Sequence, residues 1–221
     1  MFRVRAHGRI EITPEPAANR HDIEWEYYGT ILAIAAHIRG FESLHASGIY
    51  GPRGVVAFSG PSRSGKSTTA HGLVSRGRLR WADDCIAVRV TSQGIWSVAL
   101  PYVVNLRGNS ATSVGALSVV TDTPRIEVER IGDEASLAAI VLLAPNTGKT
   151  GLERIDPGVA LREMLANAYR FPPLGAQRQR TTVTRFLDLA TRIPVYRLVS
   201  GHRPDEFGSL LDELEGFIDG L

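Results

Sequence analysis

The chain has 221 residues, 43% hydrophobic and 22% charged, with a net charge of +2. That length can bury a substantial core without staples, and so small a charge argues against nucleic acid as a partner. Cys85 is the single cysteine, Met1-Phe2-Arg3-Val4-Arg5 lacks a signal-like apolar stretch, and the apolar runs 31–36 and 137–144 are too short for a bilayer, so a cytoplasmic protein without membrane contact is expected.

Residues 1–27 read as short strands around a break at Thr13-Pro14-Glu15-Pro16. Tyr28, Ile31, Leu32, Ala35 and Ile38 recur at helical spacing, which predicts a helix over 28–39 ended by Gly40. A strand over 44–50, a turn at Gly51-Pro52-Arg53-Gly54 and a strand over 55–59 follow, then a helix over 66–76 closed by Gly77. A short strand at 78–81 leads to Asp83-Asp84, and β pattern continues through Val90 into a hairpin at Gln93-Gly94 with 95–99. Residues 100–134 look irregular apart from a strand at 125–130, and 137–143 is apolar throughout, as in a strand covered on both faces. Asp156-Pro157-Gly158 opens a helix over 159–168. A Pro- and Arg-rich loop over 170–180, a helix over 181–192, a strand over 194–199 and an amphipathic helix over 204–219 complete the chain. No internal repeat or linker is visible, so one α/β domain is expected.

Gly60-Pro61-Ser62-Arg63-Ser64-Gly65-Lys66-Ser67 fits G-x-x-x-x-G-K-[ST], the loop that cradles nucleotide phosphates. Its flanks fit too, with Val55-Val56-Ala57-Phe58 before it and a helical pattern from Thr68 after it. Backbone N–H groups of such a loop point at phosphate oxygens, and the helix N-terminus adds partial positive charge. Lys66 would reach the outer phosphates and the Ser67 hydroxyl would bind Mg²⁺. Gly148-Lys149-Thr150 looks like a second loop end, but Leu143 stands where its first glycine is required.

Geometry brings two further groups to this loop. If strands 44–50 and 54–59 form a hairpin, Tyr50 faces Val55 and His45 falls beside Gly60. The strand after helix 66–76 should run parallel to 55–59 by a right-handed crossover, so Asp83 and Asp84 reach the same sheet edge as the loop. One carboxylate can hold a metal and the other can take a proton from an attacking hydroxyl. Among Arg107, Arg170, Arg178, Arg180 and Arg185, the cluster Arg178-Gln179-Arg180 is the leading source of a phosphate contact, with Arg178 first. Trp25, Trp81, Trp96 and Cys85 read as core.

His45-Ala46, the loop and Trp81-Ala82-Asp83-Asp84, in this order and spacing, resemble the catalytic core of HPr kinase/phosphorylase and its smaller relatives. Some of those relatives phosphorylate a serine of a precursor peptide in modified-peptide pathways. The close match spans residues 43–90. The resemblance implies an α/β fold, a P-loop-containing HPr-kinase-like catalytic domain with a mixed β-sheet and flanking helices. It would be a single domain over 1–221, with a short N-terminal β/α segment (1–42) and a P-loop core (43–221). It implies ATP and Mg²⁺ as cofactors, with Gly60, Pro61, Ser62, Arg63, Ser64, Gly65, Lys66, Ser67 and Thr68 on the nucleotide. It also places His45 close to phosphates and carboxylates. We take Asp83 as the base and Asp84, with Ser67, as the metal contact, an order the motif itself does not dictate.

Three departures accompany the resemblance. Arg63 stands where the family prefers glycine, Ala46 replaces the glycine after the histidine, and the family's later Arg-Gly-Leu-Gly segment is not found. Few residues precede His45, so HPr itself is a doubtful acceptor and the reverse, phosphorylase reaction is likewise in doubt. The expected activity is transfer of a γ-phosphate to the hydroxyl of a peptide or protein Ser or Thr. The alternatives are a small-molecule kinase, of an amino acid or a sugar, and a nucleotide-binding regulatory protein with little turnover. Whether the chain forms a homo-oligomer is open.

Overall fold

A computed structural model describes residues 1–104, 125–127, 132–145, 151–169, 175–200 and 206–221. The N-terminal segment pairs β1 (Phe2–Val4) with β2 (Ile10–Ile12) as an antiparallel ribbon. A helical stretch follows, α1 (Arg20–Glu26), a π turn (Tyr27–Ile31) and α2 (Leu32–Ile38), whose first turn is capped by the Asn19 side chain accepting from the Asp22 N–H at 2.8 Å.

The expected strand over 44–50 is two strands, β3 (Glu42–Leu44) and β4 (Ala46–Gly51), broken at His45. β3 pairs antiparallel with β7 (Ile86–Val90), whereas β4 pairs with β5 (Gly54–Ser59) and β6 (Leu79–Ala82). The chain changes neighbours at this residue, and its backbone bonds leave the ladder. The His45 N–H donates to Asn167 O at 3.1 Å, and His45 O accepts from Ser59 Oγ at 3.1 Å. The hairpin register matches the expectation, with Tyr50 opposite Val55 and Ala46 opposite Ser59.

Helix α3 (Lys66–Ser75) follows the glycine-rich loop and closes at Gly77, whose φ of +96° lies in the left-handed region that glycine tolerates. β4 is antiparallel to both β5 and β6, so β6 runs parallel to β5 with β4 between them. β7 and β8 (Ile95–Val98) form the expected hairpin. β11 (Glu134–Pro145) is the longest strand of a nine-stranded mixed sheet. It begins against β8, runs parallel to β5 and ends parallel to β13 (Val195–Ser200), which also pairs with β12 (Gly151–Arg154). β9 (Tyr102–Val104) and β10 (Arg125–Glu127) form a separate pair, and the rest of the strand expected over 125–130 lies outside the described residues.

The central strands have no solvent face. Val55, Ala57, Ile140 and Leu142 point to one core, which α4 (Pro157–Ala166) and α5 (Ala176–Arg192) close with Met164, Phe186 and Leu189. Val56, Phe58, Val141 and Leu143 point to the other, which α3 and α6 (Phe207–Gly220) close with Leu73, Leu211 and Leu214. Period-two alternation explains why an unbroken apolar run was required: both sides of each strand are buried. Helices α3 and α6 approach closely at Gly72, where an added Cβ would lie 2.8 Å from a Leu211 methyl.

Two expectations change here. Helix α5 starts at Ala176, so Arg178 lies in its first turn and not in a loop. Trp81 is core, with Nε1 donating to Ser97 Oγ at 2.7 Å, but Trp25 is 40% exposed. Cys85 is buried as expected, and burial pushes its thiol up to about 12.

Phe58 is fully buried and Leu187 is exposed. Phe58→Ala is therefore expected to lower unfolding free energy by about 3–5 kcal/mol, and Leu187→Ala by no more than about 0.5 kcal/mol, in urea denaturation.

Candidate active site

The loop between β5 and α3 is shaped by close backbone approach. A Cβ on Gly60 would lie 2.7 Å from Ser64 Oγ and 2.9 Å from Leu143 O, so only glycine fits there. Gly65 precedes α3 with φ +93°. Arg63 also sits in the left-handed region, at φ +67°. A glycine would take that conformation at no steric cost, whereas a Cβ there costs roughly 1–2 kcal/mol.

Lys66, 7% exposed, folds back along the loop, its Nζ donating to Gly60 O at 3.0 Å and to Pro61 O at 2.9 Å. Burial draws the pKa of its ammonium down, and the carboxylates of Asp84 and Asp83 oppose that shift. The side chain is thus a desolvated cation aimed along the loop, with acceptors that a phosphate oxygen could replace.

Asp83 and Asp84 end β6 on the edge where β5 delivers the loop, as the crossover argument predicted. Their surroundings differ. Asp83 is buried, and its Oδ1 accepts from Ser67 Oγ at 3.0 Å and from Ser47 Oγ on β4. Burial raises its pKa, and Arg80, with Nη1 3.7 Å from Asp83 Oδ2, is the main opposing influence. Arg80 is buried too, and its Nη2 lies 3.2 Å from His71 Nδ1.

Asp84 is exposed and has φ +65°. Its Oδ1 lies 3.0 Å from His45 Nε2, and its backbone oxygen accepts from the Tyr169 hydroxyl at 3.1 Å. That hydroxyl also lies 3.2 Å from Gly29 O in the π turn, and the Tyr169 ring lies 5.8 Å from the His45 ring. Burial pushes the Tyr169 phenol well above its usual range, which keeps it a donor. A left-handed non-glycine residue held by such contacts is a strained position that its surroundings over-determine.

Of the two carboxylates, the one that reaches Ser67 is that of Asp83, while Asp84 turns to His45. Arg178, expected at a phosphate, has protein partners in the structure. Its guanidinium is taken up by Glu42 Oε1 at 2.6 Å, His37 Nδ1 at 2.9 Å and Phe41 O at 2.8 Å, where it ties α5 to α2 and β3. Arg185 shares Glu42 at 3.1 Å, and Arg180 lies exposed on α5. Arg107 and Arg170 lie outside the described residues.

Sequence reasoning missed Ser47, Arg80 and Tyr169. Ser47 could have been found, because in the strand expected over 44–50 it stands two residues after His45, on the same face. Tyr169 had no local signal. It reaches the site through the 167–169 segment, where Ala168 bridges Leu44 and the Tyr169 N–H donates to Ser43 O at 3.1 Å. Beside the loop opens a cavity of about 690 Å³, bordered among others by His45, Gly60, Pro61, Ser62, Asn167 and Tyr169.

The fold is similar to that of an HPr(Ser) kinase/phosphatase. The solved structure is from Coxiella burnetii, is 13% identical and covers 79% of this chain and 95% of its own, with a TM-score of 0.42. No residue role follows from that likeness. No family model matches the chain, and no curated protein matches it. Among the described residues, no helix is long and apolar enough to cross a membrane.

Arg80→Leu strands the buried Asp83 carboxylate, and a loss of about 3–5 kcal/mol is expected at pH 8. The folded pKa of Asp83 is raised, so the penalty is complete where Asp83 is ionised and shrinks as falling pH protonates it. Urea denaturation at pH 8 and pH 5 should show the deficit narrowing at pH 5.

Proposed function

We propose that this chain is an ATP- and Mg²⁺-dependent phosphotransferase that passes the γ-phosphate to a Ser or Thr hydroxyl of a peptide or protein. The observation that carries this reading is the division of labour between adjacent carboxylates. Asp83 meets the Ser67 hydroxyl, and Asp84 meets His45 at 3.0 Å, beside a buried lysine folded along a glycine-rich loop.

The residues fit the groups the reading requires. Ser67 and Asp83 offer hard oxygen donors, which suit Mg²⁺. Among the described residues, no cluster of three or more His, Cys, Asp or Glu side chains stands ready for a metal. An ion held by one or two protein oxygens and by substrate phosphates needs none. Bound there, Mg²⁺ would neutralise charge on the transferred phosphoryl group.

The chain's own groups do the rest. Backbone N–H groups of residues 62–67 and the start of α3 cradle the phosphates, and Lys66 exchanges its carbonyl partners for phosphate oxygens. Arg63 brings a second cation to the loop. Asp84, exposed and held by His45, accepts the acceptor hydroxyl's proton as the hydroxyl oxygen bonds to the γ-phosphorus. The bond from that phosphorus to the bridging oxygen breaks, and ADP leaves with the electron pair. This assigns the base to Asp84 and the metal contact to Asp83, the reverse of the order expected at the outset. The reason is access, since Asp83 is buried and already accepts two hydroxyl protons.

Incubation with ATP, Mg²⁺ and Ser-containing peptides is expected to yield a product heavier by one phosphate, read by mass spectrometry. Asp84→Asn should lower the rate by about 10²- to 10⁴-fold while ATP still raises the melting temperature. Full activity in that variant would reject Asp84 as the base. Lys66→Ala should abolish both nucleotide stabilisation and transfer.

A further inference from the structure

We infer that the cavity of about 690 Å³ beside the loop is the acceptor subsite, and that it takes a polypeptide whose hydroxyl residue is flanked by a bulky apolar residue. The inference rests on the phosphotransferase reading above. Position identifies the end of the loop concerned. Lys66 Nζ lies against Gly60 O and Pro61 O, and the lysine of such a loop serves the outer phosphates. Gly60, Pro61 and Ser62 border the cavity, so it opens at the outer-phosphate end. Ser67, which marks the metal side, does not border it.

The 167–169 part of the lining is bound to the proposed base and to its histidine partner. The His45 N–H donates to Asn167 O, and the Tyr169 hydroxyl donates to Asp84 O. An acceptor in the cavity therefore lies against the loop, His45 and Tyr169, the two residues of the lining that hold Asp84.

Size and lining set the class. A Ser or Thr side chain fills a small part of about 690 Å³, a volume in the range of cavities that hold whole drug-sized ligands. Leu142, Leu143 and Ala144 at the end of β11, with Ala166 and Ala168, give it apolar walls. Among the described residues that line it, Arg197 is the one Lys or Arg, and it is neutralised by Glu153 at 2.8 Å and by Glu163. These three side chains sum to one negative charge, which disfavours an anionic acceptor such as a sugar phosphate. An apolar side chain beside the hydroxyl residue uses the walls and leaves the ion pairs in place.

Two peptides of equal length, with the serine flanked by leucines or by glycines, test this. Each is titrated into the full chain with a non-hydrolysable ATP analogue and Mg²⁺, followed by fluorescence anisotropy. The leucine-flanked peptide is expected to bind about tenfold tighter or better. Ala166 is exposed at the cavity's edge, so Ala166→Trp should fold, as a nucleotide-induced melting shift would verify, and should erase that preference. Equal binding of the two peptides overturns the proposal. So does an Ala166→Trp variant that weakens the nucleotide instead, which makes the cavity the nucleoside's, or displacement of peptide by free serine at similar concentration, which makes it a small-molecule pocket. Failure of the phosphotransferase reading looks different: the leucine preference and its loss in Ala166→Trp persist, but no peptide gains a phosphate.

Discussion

One carboxylate oxygen, Oδ1 of Asp83, accepts hydrogen bonds from Ser47 on β4 and Ser67 at the start of α3. It thereby joins three elements that meet nowhere in sequence: the start of a hairpin strand, the end of β6 and the helix that follows the glycine-rich loop. The contact exists because β4 lies between β5 and β6, antiparallel to both. That order brings the loop and the acidic pair to one sheet edge. Had β6 paired on another edge, the same residues would have stood too far apart to share a proton or a metal.

Charge around this oxygen is arranged in layers. Asp83 and Arg80 are buried as a pair, with His71 beyond them, and burial alone would favour the protonated acid. Lys66 is likewise desolvated, and both carboxylates oppose the fall of its pKa. Asp84 stands outside that layer, in a left-handed conformation, with its backbone oxygen held by Tyr169 and its carboxylate by His45. Strain of this kind costs about 1–3 kcal/mol and persists only where neighbours enforce it. Arg63 adds a second such residue within the loop. Both local rules are broken where the chemistry is proposed, and the two-sided apolar core around β5 and β11 supplies the rigidity that tolerates them.

Much of this was legible residue by residue. The hairpin turn set the register of Tyr50 on Val55, and so the place of His45, because pairing in a two-stranded turn propagates without choice. The apolar run of β11 announced a strand covered on both faces. The break at His45 was not legible. It arises because β3 and β4 join different neighbours, a non-local fact. Arg178 was misplaced for a related reason. The stretch after Gly175 has weak local signals, and the helix starts earlier because Arg178 gains Glu42, His37 and the Phe41 carbonyl on a distant part of the fold.

By itself, the sequence determined the glycine-rich loop, its strand and helix, the hairpin register and the arrival of two carboxylates beside the loop. These depend on spacing, alternation and the handedness of a crossover, which are properties of short stretches of chain. Only the tertiary structure decided which carboxylate is buried against Ser67 and which turns to His45. Adjacent aspartates are equivalent on paper. They are separated by a left-handed backbone at Asp84, by Arg80 beneath Asp83 and by Tyr169 arriving from far along the chain, and those environments exist only once the sheet has closed.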